Sequence, residues 1–321
     1  MPLIEDTSYE APFLIANRHL GTLVPNLLRF PRGVKYERER LSLSDGDFVH
    51  IDWSVTGSDR MILFSHGLEG SSRSPYVLGM VRYFNKLGWD ALAWNFRSCS
   101  GEPNLKPHFY HPGQTQDMQE ILLHAKEKYG YKTIVLIGFS LGGVYTLRYL
   151  GERADEVPEE VRKAICFSVP TNLADSAKHL STGRNQFYGR TFVNKYKKKM
   201  VQKEKLWPGT QNLDLWDGVK TIVEFDKTFN APWYGFSDVA DFYQVSCAGP
   251  VIHRVQVPTL IVNAENDPFL PPSCYPVQEA EANKQVFLEI PPAGGHVGFM
   301  TFKWKGIFWS ESRAAAFLED L

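Results

Sequence analysis

Residues 133–143 read TIVLIGFSLGG, and this stretch decides the fold. A β-branched apolar run, residues 133–137, breaks into Gly138, Phe139, Ser140, Leu141, Gly142 and Gly143, and residues 144–150 continue with helix-like spacing. A buried strand, a glycine-tight turn with one serine at its apex, and a helix describe a nucleophile elbow. The glycines two before and two after Ser140 remove side chains where strand and helix nearly touch, and they tolerate unusual backbone angles. The turn lifts the serine hydroxyl out of the sheet. The helix N-terminus behind it directs free N–H groups toward developing negative charge. The spacing predicts Ser140 as a nucleophile; an ordinary strand–turn–helix crossover is the competing reading.

At 321 residues, 43% apolar and 13% aromatic, the chain can bury a substantial core and is unlike a disordered composition. A formal charge of -1 gives no global field favouring nucleic acid or an acidic partner. The first twenty residues carry acids early and lack a basic start followed by an apolar run, which argues against a signal peptide. No apolar segment approaches the roughly 20 residues of a membrane helix. Cys99, Cys166, Cys247 and Cys274 lie far apart with no CxxC, so neither a zinc site nor a disulfide framework is signalled. The expectation is a soluble cytoplasmic protein with no cofactor and no metal, its oligomeric state left open.

Working outward from the elbow, residues 35–43 and 48–55 alternate in part around Ser44-Asp45-Gly46-Asp47, which signals a hairpin. Apolar runs at 61–64, 90–96, 162–169, 259–263 and 285–290 read as strands, and 76–87, 115–129 and 310–321 as helices. The first thirty residues read as a short helical or irregular arm. Strands apolar throughout and alternating with helices imply an α/β protein whose mostly parallel sheet is covered on both faces, with the antiparallel hairpin at its front. The alternation lapses over residues 171–256, a segment rich in aromatics. The organisation expected is a single domain over 1–321 with 171–256 as a helical cap insert.

A serine hydroxyl is a poor nucleophile without a base, and the base needs an orienting carboxylate. In this topology the partners follow in the order serine, acid, histidine, each on a loop after a strand. Asp267, directly after the strand at 259–263, is the expected acid, and His296, after the strand at 285–290, the expected base. Asp175 is a rival acid. Glu265 is two residues early, so its side chain is expected to support the loop. His66 lies near the site but before the elbow. His108 and His111 sit in a Pro-rich loop with no third ligand, so metal binding is not indicated there. Two backbone N–H groups should meet the oxyanion, one from Leu141 and one from Leu68 in the loop His66-Gly67-Leu68-Glu69-Gly70.

These residues resemble the α/β-hydrolase superfamily and, within it, the YheT-like hydrolases. The stretch HGLEGSS at 66–72 looks like that family's oxyanion loop. NFRSCSG at 95–101 resembles its NxRGCxG segment, with Ser98 where glycine is usual. FYHPGQTQD at 109–117 is similar to its YHSGxTxD segment, with Pro112 replacing serine. Glu224-Phe225-Asp226, Ala231-Pro232 and Gly235-Phe236 look like its cap signature. The resemblance runs from about residue 12 to the C-terminus. It implies a serine hydrolase acting on carboxylic esters of short or medium acyl chain, with acylglycerols among the candidates. An acyltransferase or thioesterase using the same acyl-enzyme, and a non-catalytic binding protein on the same fold, are the alternatives.

Arg97 and Asp117 are expected to pair in support of the segment between them. Lys195, Lys197, Lys198, Lys199, Lys203 and Lys205 form a basic run read as a solvated helix face, with contact to anionic lipid headgroups as its functional alternative. Several of the aromatics at 171–256 are expected to line an apolar acyl pocket.

Overall fold

Successive residues of the central strands enter opposite layers, as the pleat requires. Met61 and Leu63 join one buried cluster while Ile62 and Phe64 join the other; Ile134 and Leu136 separate from Val135 and Ile137 in the same way. The computed structural model describes residues 3–301 and 306–321. Its strands are β1 (Leu3–Ile4), β2 (Glu37–Ser42), β3 (Phe48–Ser54), β4 (Arg60–Ser65), β5 (Asp90–Asn95), β6 (Thr133–Phe139), β7 (Val161–Phe167), β8 (Thr259–Val262) and β9 (Val286–Glu289). They form one sheet in the order β1-β9-β8-β7-β6-β4-β5-β3-β2.

The hairpin β2–β3 is antiparallel with Glu37 opposite Trp53 and Ser42 opposite Phe48, and β3 pairs antiparallel with β5. All other pairings are parallel. The exposed edge strand β2 reads ERERLS, and such charges blunt edge-to-edge pairing. At the opposite edge, β1 adds two residues alongside β9, Leu3 opposite Leu288 and Ile4 opposite Glu289. The arm expected over the first thirty residues therefore begins as a strand. It then continues as a 3₁₀ turn, Phe13–Ala16, and helix α1 (Arg18–Leu28), whose cap Asn17 accepts the N–H groups of His19 and Leu20.

Helix α2 (Pro75–Lys86) packs Val77, Met80, Val81 and Phe84 into one cluster, and Gly88 just beyond it takes the left-handed φ of 78°. Helices α3 (Gln116–Tyr129) and α4 (Leu141–Glu152) supply Met118, Ile121, Val144 and Leu147 to the cluster on the other face. Between β7 and β8 lie α5 (Leu173–Leu180), α6 (Gln186–Leu206), α7 (Ile222–Phe225), α8 (Ala231–Trp233) and α9 (Val239–Ser246), with a π-helical turn, Asp226–Asn230, joining α7 to α8. Helices α10 (Val277–Ala282) and α11 (Trp309–Phe317) close the chain. Among the described residues, no helix is long and apolar enough to cross a membrane.

Because β4, β6, β7, β8 and β9 run parallel, the loops after them emerge at one edge of the sheet. That edge gathers His66, Ser140, Asp267 and His296. In open α/β sheets this edge is where ligands bind.

Candidate active site

Ser140 sits between β6 and α4 with φ 52° and ψ -120°, a conformation that L-residues rarely adopt. The turn is held by Ser140 N–H donating to the Phe167 carbonyl at 2.8 Å and Gly143 N–H donating to the Ser140 carbonyl at 2.9 Å. The flanking glycines are steric necessities. A Cβ on Gly138 would overlap the Gly142 carbonyl, and one on Gly142 would overlap the Ser65 and His66 carbonyls.

His296 Nε2 lies 2.9 Å from Ser140 Oγ, and His296 Nδ1 lies 2.8 Å from Asp267 Oδ2 and 3.1 Å from Oδ1. An ionised carboxylate only accepts, so Nδ1 carries the proton and Nε2 is left to accept from the serine hydroxyl. Asp267 is fully buried, while Ser140 and His296 each keep 7% exposure. Asp267 Oδ1 also accepts the Phe269 N–H at 2.8 Å, which fixes the carboxylate in its turn. These are the three residues the order serine, acid, histidine singles out, brought together from loops 127 and 29 residues apart.

The histidine loop is strained and braced. Gly295, Val297 and Phe299 have φ of 59°, 58° and 41°. His296 N–H donates to Thr22 Oγ1 at 2.9 Å, Gly295 N–H to Asn266 Oδ1 at 2.9 Å, and Val297 N–H to Ser168 Oγ at 2.9 Å. Asn266 Nδ2 in turn donates to the Ala16 carbonyl at 2.8 Å. Thr22 thus ties helix α1, and Asn266 the 3₁₀ turn before it, to the imidazole loop, a role no local sequence signal announced.

The loop after β4 presents its amides selectively. Gly67 N–H donates to Tyr76 Oη at 2.9 Å and Glu69 N–H to Tyr110 Oη at 3.1 Å. Among the described residues, neither Leu68 N–H between them nor Leu141 N–H has an acceptor. Glu69, at φ 55°, is anchored by Tyr110 Oη and Lys199 Nζ, both donating at 2.7 Å. His66 is fully engaged behind this loop, Nδ1 donating to the Gly67 carbonyl at 2.7 Å and Nε2 accepting Phe96 N–H at 3.1 Å. Complete burial pushes its pKa down to about 3, so it stays a neutral structural pin.

Residues 60–303 match the family model described as alpha/beta hydrolase fold. The chain belongs to the α/β-hydrolase family. Within it the chain is YheT-like: it is 36% identical to the putative esterase YheT of Escherichia coli (strain K12), covering 89% of this chain and 85% of that protein. It is 28% identical to the phospholipase ABHD3 of Homo sapiens, over 94% of this chain and 76% of that protein. The Pyrococcus furiosus esterase Pf2001 superposes with a TM-score of 0.60 at 19% identity, over 89% of this chain and 91% of that structure, which speaks to the fold alone.

A cavity opens on Ser140 of this α/β hydrolase, with Leu68 and Leu141 in its wall. Of the aromatics at 171–256, Phe192, Tyr196, Phe242 and Tyr243 line it. Trp216, Phe225, Phe229 and Trp233 pack against one another instead, mostly tilted or edge-on, with ring centroids 5.5–6.1 Å apart. Pro112, which replaces the serine usual in YheT-like hydrolases, is also in the wall. Ser98, in place of the usual glycine, holds a φ of 62°, its Oγ donating to Asn104 Oδ1 at 2.6 Å and accepting Asn104 N–H at 3.0 Å.

The rival residues lie elsewhere. Asp175 is exposed and accepts from Ser273 Oγ at 2.7 Å and Asn172 Nδ2 at 3.1 Å. Glu265 is exposed, and only its backbone supports the loop, through N–H to the Pro291 carbonyl at 2.8 Å. Arg97 does grip Asp117 in a two-pronged ion pair at 2.7 and 2.9 Å, and it also holds Asp45 and Asp47. The lysine run is not uniformly solvated. Lys199 turns to Glu69, and Lys203 is fully buried, its Nζ bonded to Asn104 Oδ1 at 2.8 Å and to the carbonyls of Lys106, Pro107 and His108. Both sit on the stripe 189-193-196-200-203 that α6 buries, or beside it.

Proposed function

We propose that this α/β hydrolase is a serine esterase that cleaves carboxylic esters of short or medium acyl chain through an acyl-enzyme. The observation that carries the reading is the unbroken line from Asp267 through His296 to Ser140, with hydrogen-bond distances of 2.8 and 2.9 Å. In this reading His296 takes the Ser140 proton as Oγ attacks the ester carbonyl. The Leu68 and Leu141 amides, which have no acceptor among the described residues, receive the oxyanion. Protonated His296, steadied by Asp267, then gives its proton to the departing alcohol. Water, deprotonated by the same imidazole, attacks the acyl-enzyme, and collapse of the second tetrahedral adduct releases the carboxylic acid and regenerates Ser140.

The largely apolar wall of the cavity supports an aliphatic acyl group as the part held there. The names of the relatives, an esterase and a phospholipase, lie within the same chemistry of ester cleavage. The test is hydrolysis of p-nitrophenyl acetate through octanoate by the wild type and Ser140→Ala. The wild type is expected to turn over at least part of this series, and the variant to lose that activity by about 10⁴-fold or more. Equal rates in the two proteins would remove the mechanism.

A further inference from the structure

The cavity above Ser140 has one patch that its apolar walls do not explain. Asp226, Asn230 and Tyr243 all line it, and Asp226 and Asn230 are only 6% and 5% exposed. Asp226 and Asn230 are the first and last residues of the π-helical turn Asp226–Asn230, a rare element often found at functional sites. Asn230 Nδ2 donates to Asp226 Oδ1 at 2.6 Å, and Tyr243 Oη donates to Asp226 Oδ2 at 2.7 Å. Because a carboxylate only accepts, the Asn230 amide must turn Nδ2 toward Asp226, which commits its Oδ1 elsewhere. That Oδ1 is buried and has no donor among the described residues. Nor does any Lys, Arg or His pair with Asp226 among them.

Buried polar atoms are seldom left without partners, and a carboxylate held in an apolar chamber without a cation is costly. Asn230 Oδ1, an acceptor without a donor on a residue that lines the chamber opening on the nucleophile, calls for a donor brought in by the ligand, beside an Asp226 carboxylate that no cation neutralises. We propose that Asp226 and Asn230 form a specificity subsite that receives a hydroxyl group of the ester substrate, while the aliphatic remainder packs on the apolar walls. The substrate class is thus an ester with a hydroxyl on the arm held in the cavity. A neutral hydroxyl meets acceptors here without stripping water from a charge; an ammonium would have to be desolvated among apolar walls. The inference rests on the reading of Ser140 as the nucleophile.

The experiment compares kcat/KM for matched esters in the wild type, Ser140→Ala and Asn230→Leu. One series pairs p-nitrophenyl alkanoates, butanoate to decanoate, with their ω-hydroxy and ω-amino counterparts. A second pairs alkyl acetates with ω-hydroxyalkyl acetates of the same lengths. The expected result is a preference for the hydroxyl ester of about tenfold or more at a particular length in one series. That preference should shrink to less than about twofold in Asn230→Leu, with the unsubstituted esters still cleaved. Three results would overturn the subsite: no hydroxyl preference at any length in either series, an undiminished preference in Asn230→Leu, or a preference for the ω-amino ester. If Asn230→Leu does not fold, the wild-type ratios decide by themselves. Failure of Ser140 to matter for any ester would be a different outcome, striking the reading beneath the subsite.

Discussion

Phe269 lies flat against the imidazole of His296, with ring centroids 3.8 Å apart and planes 15° from parallel. The same phenyl ring lines the cavity, and its N–H holds Asp267 Oδ1. One residue therefore restrains the His296 imidazole by its side chain and the Asp267 carboxylate by its backbone. Stacking of this kind is worth about 0.5–1.5 kcal/mol beyond simple burial. Replacing Phe269 with Leu keeps an apolar side chain and the backbone N–H but removes the flat face. Phe269→Leu is expected to lower kcat up to about tenfold, with little change in melting temperature. Steady-state kinetics alongside thermal unfolding check this; an unchanged kcat would show that the ring only fills space.

Asp267 and Asp175 offer a sharp contrast, since both are aspartates that follow neighbouring strands, Asp267 on the loop after β8 and Asp175 in the first turn of α5 after β7. Asp267 bonds the imidazole, whereas Asp175 bonds Ser273 and Asn172. Asp267→Asn is expected to cost about 10⁴-fold in kcat, because an amide that donates to Nδ1 stabilises the wrong imidazole tautomer. Asp175→Asn should remain within a few-fold of the wild type. Comparable losses in the two variants would mean that the acid has been misassigned.

Thr22 reaches across 274 residues of sequence to accept the His296 N–H. Thr22→Val would leave a buried N–H without its acceptor, at a cost of about 1–3 kcal/mol in stability. It would also loosen the loop that aims the imidazole, so kcat should fall while KM stays nearly constant. Thr22→Ser, which keeps the hydroxyl, should restore both values. A normal kcat in the valine variant would show that the N-terminal helix does not position the base.

Asp226 carries a pH signature. Desolvation raises its pKa to about 6 from the ordinary aspartate value of 3.8. Between those two values the folded state binds more protons than the unfolded state. Stability therefore falls as the pH rises through this window, then stays at the lower level above about pH 6. Relative to Asp226→Asn, which cannot titrate, the wild type should lose up to about 3 kcal/mol between pH 4 and pH 7. Urea unfolding of both proteins at unit steps of pH measures the difference. A constant difference would mean that Asp226 does not titrate in that range.

Much of this architecture is written in short-range signals. The elbow glycines, the apolar runs of the central strands and the Asp45-Gly46 turn of the hairpin each act within a few residues, and each is found where its pattern lies. The chain order of serine, acid and histidine is equally local, because each follows its own strand. What is not legible depends on distant partners. Strand β1 is two residues long and exists because β9 offers it an edge. Thr22 and Asn266 look like ordinary polar residues until the fold sets them against the histidine loop. Lys203 is different: residues 189, 193, 196 and 200 mark an apolar stripe at helical spacing, and Lys203 continues it. A charge on that stripe signals a buried ammonium seeking oxygen atoms, and the carbonyls of residues 106–108 supply them.

If Ser140 is the nucleophile, it carries the acyl group during turnover. The most direct measurement quenches the wild type in acid during hydrolysis of a p-nitrophenyl ester, digests it and locates the acyl adduct by peptide mass spectrometry. The adduct is expected on the peptide containing Ser140, at Ser140 itself, and none there in Ser140→Ala. Asp267→Asn and wild type should acylate the same residue at very different rates. An adduct on another residue, or ester hydrolysis that persists in Ser140→Ala at the wild-type rate, would contradict Ser140 as the nucleophile.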